Sequence, residues 1–230
     1  MRNMKWLGGT GLAAAVLAAG TVACSDSPSS GIAPAQARIS IESDIIASRT
    51  AALDWFASVT GSEAAMSPDT VLSLEITFTE VAFLPVSEDE EDTGGWQVIP
   101  LDAPVTLDLM ALPTEEDGSV VIAAGSVAVG SYHMVRLMVS TGQIIFKGPI
   151  TLGSAITLEA GEPGHAVTIP SGEQTGLKTD VSFEVSAGAT GEANAAHIVF
   201  AAGTTFQNVT VTGTGAVMLA PVLRAPDASE

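Results

Sequence analysis

The chain predicts an all-β protein, a sandwich or barrel of about ten short strands. Three observations carry this. From Val71 onward apolar and polar residues alternate with a period of two. Gly, Pro, Asp and Ser interrupt the alternation at short intervals. No apolar stripe of helical period breaks the series, which argues against a parallel α/β sheet.

Arg38-Ile39-Ser40-Ile41 reads as a first strand. Asp44 then caps a short helix near residues 45–58 that buries Ile45, Ala52, Leu53 and Phe56 and stops at Gly61. Leu72, Leu74, Ile76 and Phe78 alternate with Ser73, Glu75, Thr77 and Thr79. The phase then slips to Val81 and Phe83, which predicts a β-bulge near Thr79-Glu80, and Pro85 ends the strand. An acidic loop, Ser87–Gly95, leads to a strand at Trp96–Ile99 and another at Val105–Leu109. Asp117-Gly118 predicts a hairpin turn beside short apolar runs at Val120–Ala123 and Ser126–Val129.

Gly130–Ser140 reads as a central strand. Val135, Leu137 and Val139 share a face with His133, and Tyr132, Met134, Arg136 and Met138 share the other. Gln143–Phe146, Ile156–Leu158, Ala166–Ile169 and Leu177–Val185 follow; in the last, Leu177, Val181, Phe183 and Val185 oppose Lys178, Asp180, Ser182 and Glu184. His197–Phe200, Phe206–Val211 and Val217–Leu223 complete the strands.

The start of the chain has a different character. Arg2 and Lys5 precede an uncharged run, Trp6–Ala23, which ends at Cys24 and a Ser-rich stretch. A basic head, an apolar middle and small residues before a cut make a secretory leader. The run is rich in Ala and Gly and barely reaches bilayer length, so it makes a poor permanent span. Cys24 is the only cysteine, so no intrachain disulfide forms. Its place after Val22-Ala23 resembles the lipobox of bacterial lipoproteins, which implies a diacylglycerol on its thiol and cleavage before it. Residues 24–37 have the composition of a lipid-anchored flexible tether. Ser25 directly after Cys24 resembles lipoproteins sorted to the outer membrane. The expected location is therefore the cell envelope, lipid-anchored at the outer membrane.

Loss of the leader removes Arg2 and Lys5 and leaves six Lys/Arg against all 26 Asp/Glu, a formal charge of −20 against −18 for the whole chain. So acidic a body repels nucleic acid, which excludes nucleic-acid partners.

Motifs for chemistry are sparse. No serine sits in G-x-S-x-G, and neither a P-loop nor H-E-x-x-H occurs. His133, His165 and His197 fall on separate elements without ligand-like spacing. The acidic loop fails as an EF-hand, because Thr93 and Ile99 stand where Gly and Glu are needed; Glu88, Asp89, Glu90 and Asp92 remain candidates for a looser calcium site. Tyr132 and Arg136 read as a structural motif: a hydroxyl bonded to backbone and an arginine paired with a carboxylate. Trp55, Trp96 and Tyr132 are the only Trp and Tyr beyond the leader, which weighs against a sugar-stacking platform.

Five short segments in order resemble one bacterial and archaeal family, the domain of unknown function numbered 4382. They are Leu72–Phe83 followed by Gly95-Trp96; Val105–Leu109 with Leu112; Gly130-Ser131-Tyr132-His133-Met134-Val135-Arg136-Leu137; Ile169-Pro170-Ser171-Gly172 with Thr175-Gly176-Leu177-Lys178; and Leu219–Ala225. The resemblance spans about residues 68–225. It implies an envelope lipoprotein with an Ig-like or transthyretin-like antiparallel β-sandwich, and no known activity. The family's late acidic D-F-D-like pair is replaced here by Val199-Phe200-Ala201-Ala202.

The expected organisation is a signal peptide at 1–23, a tether at 24–37, a strand/helix segment at 38–67, the sandwich domain at 68–225 and a tail at 226–230. The expected function is a non-catalytic binding or scaffolding module, with a glycan or an envelope protein as ligand and no cofactor. The alternatives are a structural surface protein without a ligand and a hydrolase using dispersed carboxylates.

Overall fold

The computed structural model describes residues 34–45, 66–86, 95–114, 117–152, 156–189, 194–207 and 209–226. Cys24, the acidic residues Glu88, Asp89, Glu90 and Asp92, and the helix expected after Ile45 lie outside them. Among the described residues the elements in chain order are β1 (Ala35–Ser43), β2 (Val71–Pro85), β3 (Gln97–Ile99), β4 (Val105–Asp108), β5 (Val120–Val127), β6 (Gly130–Phe146), β7 (Ile150–Leu152) and β8 (Ile156–Leu158). Then come β9 (His165–Thr168), β10 (Leu177–Val185), β11 (Ala195–Phe200), helix α1 (Ala202–Gln207), β12 (Thr210–Val211), β13 (Val217–Met218) and β14 (Leu223–Arg224).

Two long strands form the spine. β2 and β6 run antiparallel over nearly their whole lengths, from Val71 opposite Phe146 to Pro85 opposite Tyr132. Each changes its outer neighbour halfway along. The second half of β2 pairs with β3 and its first half with β4. The first half of β6 pairs with β10 and its second half with β9. The upper half of the spine is thus a four-strand sheet, β3-β2-β6-β10. The lower half runs β4-β2-β6-β9-β13-β12.

The upper half packs against a second sheet, β5-β1-β11-β14. β10 lies against β11 and β14, and β3 lies against β5. The approach at the β3–β5 corner needs a glycine: a Cβ on Gly125 would stand 2.7 Å from Ile99 Cγ2. The described residues form an all-β, sandwich-like fold of several sheets, with no barrel among them. Most pairings are antiparallel, as expected, but β1–β11 and β9–β13 are parallel.

The core follows the period-two pattern. Leu74, Ile76, Phe78, Val81 and Phe83 point inward from β2, while Val135, Leu137 and Val139 do so from β6; all are buried. Burying one such side chain contributes about 1.5–3 kcal/mol, so these two strands alone anchor the sandwich. The predicted bulge is present: Phe78 faces Val139 and Glu80 faces Met138, leaving Thr79 as the extra residue. β10 alternates in burial from Leu177 to Val185, although its register against β6 shifts between Asp180 and Phe183.

Several expectations change. Tyr132 does not share a face with Arg136. A register shift at Leu84/Pro85 makes His133 an extra residue of β6, so Tyr132 turns into the core with Val135 and His133 stays exposed. There Tyr132 stacks on Phe183 at 5.2 Å, and both rings meet Phe83. Asp117-Gly118 is a turn with positive φ at Gly118, but not a hairpin, because β4 and β5 belong to different sheets. Phe206 lies in α1 rather than a strand; its ring is fully buried against Phe200 at 6.5 Å. Val217–Leu223 is two short strands, parted at Pro221, because each serves a different sheet. β1 starts at Ala35, inside the stretch expected as tether, and lies between β11 and β5.

Candidate functional site

Tyr132 and Arg136, the pair singled out in the sequence, sit on opposite faces of β6. The Tyr132 hydroxyl donates to the Ala128 carbonyl at 2.7 Å, which ties the entry of β6 to the end of β5. Burial pushes its pKa up from the ordinary value of 10.0, because the phenolate would be poorly solvated there. Arg136 lies on the outer face of the sheet. Its Nη2 meets Glu80 Oε1 at 2.7 Å, and its guanidinium carbon stands 4.6 Å from the centre of the Trp96 ring. The Lys178 ammonium approaches the same ring at 5.8 Å. Val98, Ala82, Arg136 and Lys178 form one register row across β3, β2, β6 and β10. Ala82 in that row has no exposed surface. The cluster clamps the β2–β3 hairpin onto the sheet, a structural task for groups that hold one another.

Other residues of the quoted motifs are also fasteners. Asp108 Oδ1 accepts from the backbone N–H groups of Leu74 and Met110, at 3.0 and 2.9 Å, and closes the end of β4 on β2. Near the C-terminus, Val222 donates to the Thr205 hydroxyl and Ala201 donates to the Val222 carbonyl. Asp44 Oδ1 accepts from Ala202 N–H at the start of α1, and Arg224 approaches its other oxygen at 3.5 Å. The three histidines fall far apart in the fold: His133 exposed on β6, His165 at the start of β9 bonded to the Glu159 carbonyl, and His197 on β11. Among the described residues no three His, Cys, Asp or Glu side chains converge as a metal site.

A different place offers an opening. β6 leaves β10 at Leu137 and takes up β9 at Gly142. Between these points its edge lacks a strand partner, and the loop that joins β9 to β10 crosses the gap. Val139 N–H bonds to the Gly172 carbonyl in that loop at 3.1 Å. A bulge coincides with the gap: Thr77 faces Thr141 while Phe78 faces Val139, so Ser140 is unmatched on β2. The result is an open cleft of about 320 Å³, walled by Ser140 and Thr141 of β6, by Thr168 at the end of β9 and by the loop residues Ser171, Glu173 and Gln174.

The loop is fixed by its own backbone. The N–H groups of Gln174, Thr175 and Gly176 all donate to the Ser171 carbonyl, and Gly172 N–H donates to the Ile169 carbonyl. Ser171 has φ of 59°, a conformation that a non-glycine residue holds only when its surroundings enforce it. Gly176 has φ of 69°, and a Cβ there would stand 2.8 Å from the Leu137 carbonyl oxygen. The wall is therefore formed before any ligand arrives. Glu173 is the single ionisable group among its lining residues.

The cleft continues into a polar row. Thr106, Thr77 and Thr141 are register partners across β4, β2 and β6. The pairing of Gly142 with Val167 sets Thr168 beside Thr141. These four threonines lie on the outer face, since Ile76, Phe78 and Val167 beside them are buried. The Thr77 and Thr106 hydroxyls are 2.9 Å apart.

The sequence reading missed this site. The loop was visible as the segment Ile169-Pro170-Ser171-Gly172, and each threonine was visible as an outward position of its strand. Their adjacency was not, because register between distant strands is not written in any local pattern.

Comparison with known proteins gives one match: the family model described as Domain of unknown function (DUF4382) covers residues 62–221. No curated protein and no solved structure matches.

Proposed function

This chain belongs to the DUF4382 family, and from that premise we propose that it is a non-catalytic binding module of the cell envelope, tethered by lipid on Cys24 and engaging its ligand at the cleft between β9 and β10. One observation carries the reading: an open, polar cleft, its loop wall held by backbone hydrogen bonds, stands where the sheet divides, with hydroxyls, an amide and one carboxylate on its walls. Such a lining offers hydrogen bonds to a ligand. A single carboxylate does not make the acid–base pair that glycoside hydrolysis needs. The outward Ser25 signal and the acidic body suit an exported protein that works in bulk solvent beyond the membrane.

The test is crosslinking in cells. A photoreactive residue replacing Glu173 is expected to give an adduct in the envelope fraction. The same residue replacing Glu184, exposed on the outer face of β10, is expected to give none. Equal labelling at both positions, or none at 173, rejects the cleft as the binding site.

A further inference from the structure

We propose that the cleft and the threonine row form one elongated subsite for an uncharged, linear glycan. This rests on the reading of the cleft as a binding site and adds the class of ligand.

Three features point to that chemistry. The first is the spacing. Thr106, Thr77, Thr141 and Thr168 stand on four adjacent strands, so their backbone positions recur at the inter-strand distance of about 4.8 Å and span roughly 14 Å, with the Thr77 and Thr106 hydroxyls drawn together at 2.9 Å as one pair. A linear glycan repeats its hydroxyls at a similar interval, that of one pyranose residue. The Thr77–Thr106 pair, Thr141 and Thr168 thus offer three contact points along such a chain. The second is the donor and acceptor set. A hydroxyl both donates and accepts, as does the Gln174 amide at the end of the row, and sugar hydroxyls need both roles. The third is charge. The row holds no cation, the cleft holds the Glu173 carboxylate, and the chain carries −18, so a polyanion is repelled. No aromatic ring lines the cleft. Binding then comes from hydrogen bonds alone, each of modest net worth in water, and is weak and additive along the chain.

The row runs from the exposed Thr106 at one edge to Thr168 beside the loop, where Ser171 and Gln174 close its end. Ile76 and Phe78 beside Thr77, and Val167 beside Thr168, are buried in the core, so packing fixes the outward direction of these two side chains.

The experiment titrates the leaderless protein from residue 25 with maltohexaose, cellohexaose and chitohexaose, followed by amide NMR shifts, with an oligogalacturonate as the anionic comparison. At least one neutral hexasaccharide is expected to bind with a Kd of about 1 mM, shifting amides at Thr141, Thr168 and Ser171. The oligogalacturonate is expected to bind at least about tenfold more weakly. Thr141→Val with Thr168→Val, which keeps shape and removes two hydroxyls, is expected to weaken binding about twentyfold. Thr141→Ser with Thr168→Ser restores it. Thr151→Val on β7, away from the row, leaves it unchanged. Unchanged melting of each variant shows that the fold persists. No shift with any neutral hexasaccharide at about 10 mM overturns the glycan assignment. So does equal binding of the oligogalacturonate, or a valine pair that binds as well as the parent. If crosslinking at 173 succeeds while these titrations fail, the cleft still binds and only the ligand class is wrong.

Discussion

Tyr132 shows how much one residue position decides. It is the only tyrosine in the chain, so its ionisation can be followed by phenolate absorbance without interference. In the native protein the phenol is buried and donates to the Ala128 carbonyl, and burial raises its pKa. A raised pKa means that the folded state holds the proton more tightly than the unfolded state. The stabilisation is complete below the unfolded value near 10.0 and is lost as pH rises past it towards the folded value. The expected outcome is a native phenolate titration displaced to higher pH than in denaturant, with unfolding free energy falling above about pH 10. Tyr132→Phe should cost about 1 kcal/mol at neutral pH and remove that alkaline fall. A native titration coincident with the denatured one rules out the buried placement. Asn194 makes a similar point: it is fully buried, accepts from Ser186 N–H and donates to the carbonyls of Gln36, Ser186 and Ala189. Nothing in its neighbourhood in the sequence marked it, because three of its four bonds go to a turn and the fourth to a strand 158 residues away. Asn194→Ala leaves several buried polar groups unpaired and should destabilise by about 2–4 kcal/mol in urea unfolding.

At the scale of elements, the loop between β9 and β10 is the test piece. It decides whether β6 can change partners from one half of the sheet to the other. Gly176 holds φ of 69° with no room for a Cβ beside the Leu137 carbonyl, the Arg136 Cγ and the Met138 Sδ. Gly176→Ala should therefore cost about 1–3 kcal/mol through backbone strain and displaced neighbours, read as a lower urea midpoint with an unchanged slope. The cleft should also lose ligand, because the wall from Ser171 to Gln174 depends on the same turn. The bulges act at this scale too. Thr79 keeps both halves of β2 facing the core across a phase slip, and it was legible because the apolar pattern itself slips. The bulge at His133 was not legible, since either phase of Gly130–Ser140 presents apolar residues to both faces; only the pairing with β2 settles it. The short helix α1 was missed for a related reason. Ala202–Gln207 is too short to show a helical period, and its N-terminal N–H is satisfied by the distant Asp44.

For the whole molecule, the proposed lipid anchor on Cys24 makes a prediction of its own. Two or three acyl chains bind a bilayer stably, at about 0.8 kcal/mol per buried methylene, where one chain does not. The protein should remain with membranes after a salt wash, and Cys24→Ala should appear in the soluble fraction; retention of that variant would remove the lipid anchor from the account. Among the described residues no helix is long and apolar enough to cross a membrane.

Local pattern along the chain is enough to read a β protein of the DUF4382 family, the places of most strands and which of their faces are buried. Those properties are local: a side chain's direction alternates with position, and burial of apolar groups selects the phase. Which strands become neighbours emerges in the folded molecule alone. Folding placed β1 between β11 and β5, separated Tyr132 from Arg136, and drew Thr106, Thr77, Thr141 and Thr168 into one row beside Ser171. Strand pairing is set by the sum of many weak contacts between distant segments, and no single segment carries that sum.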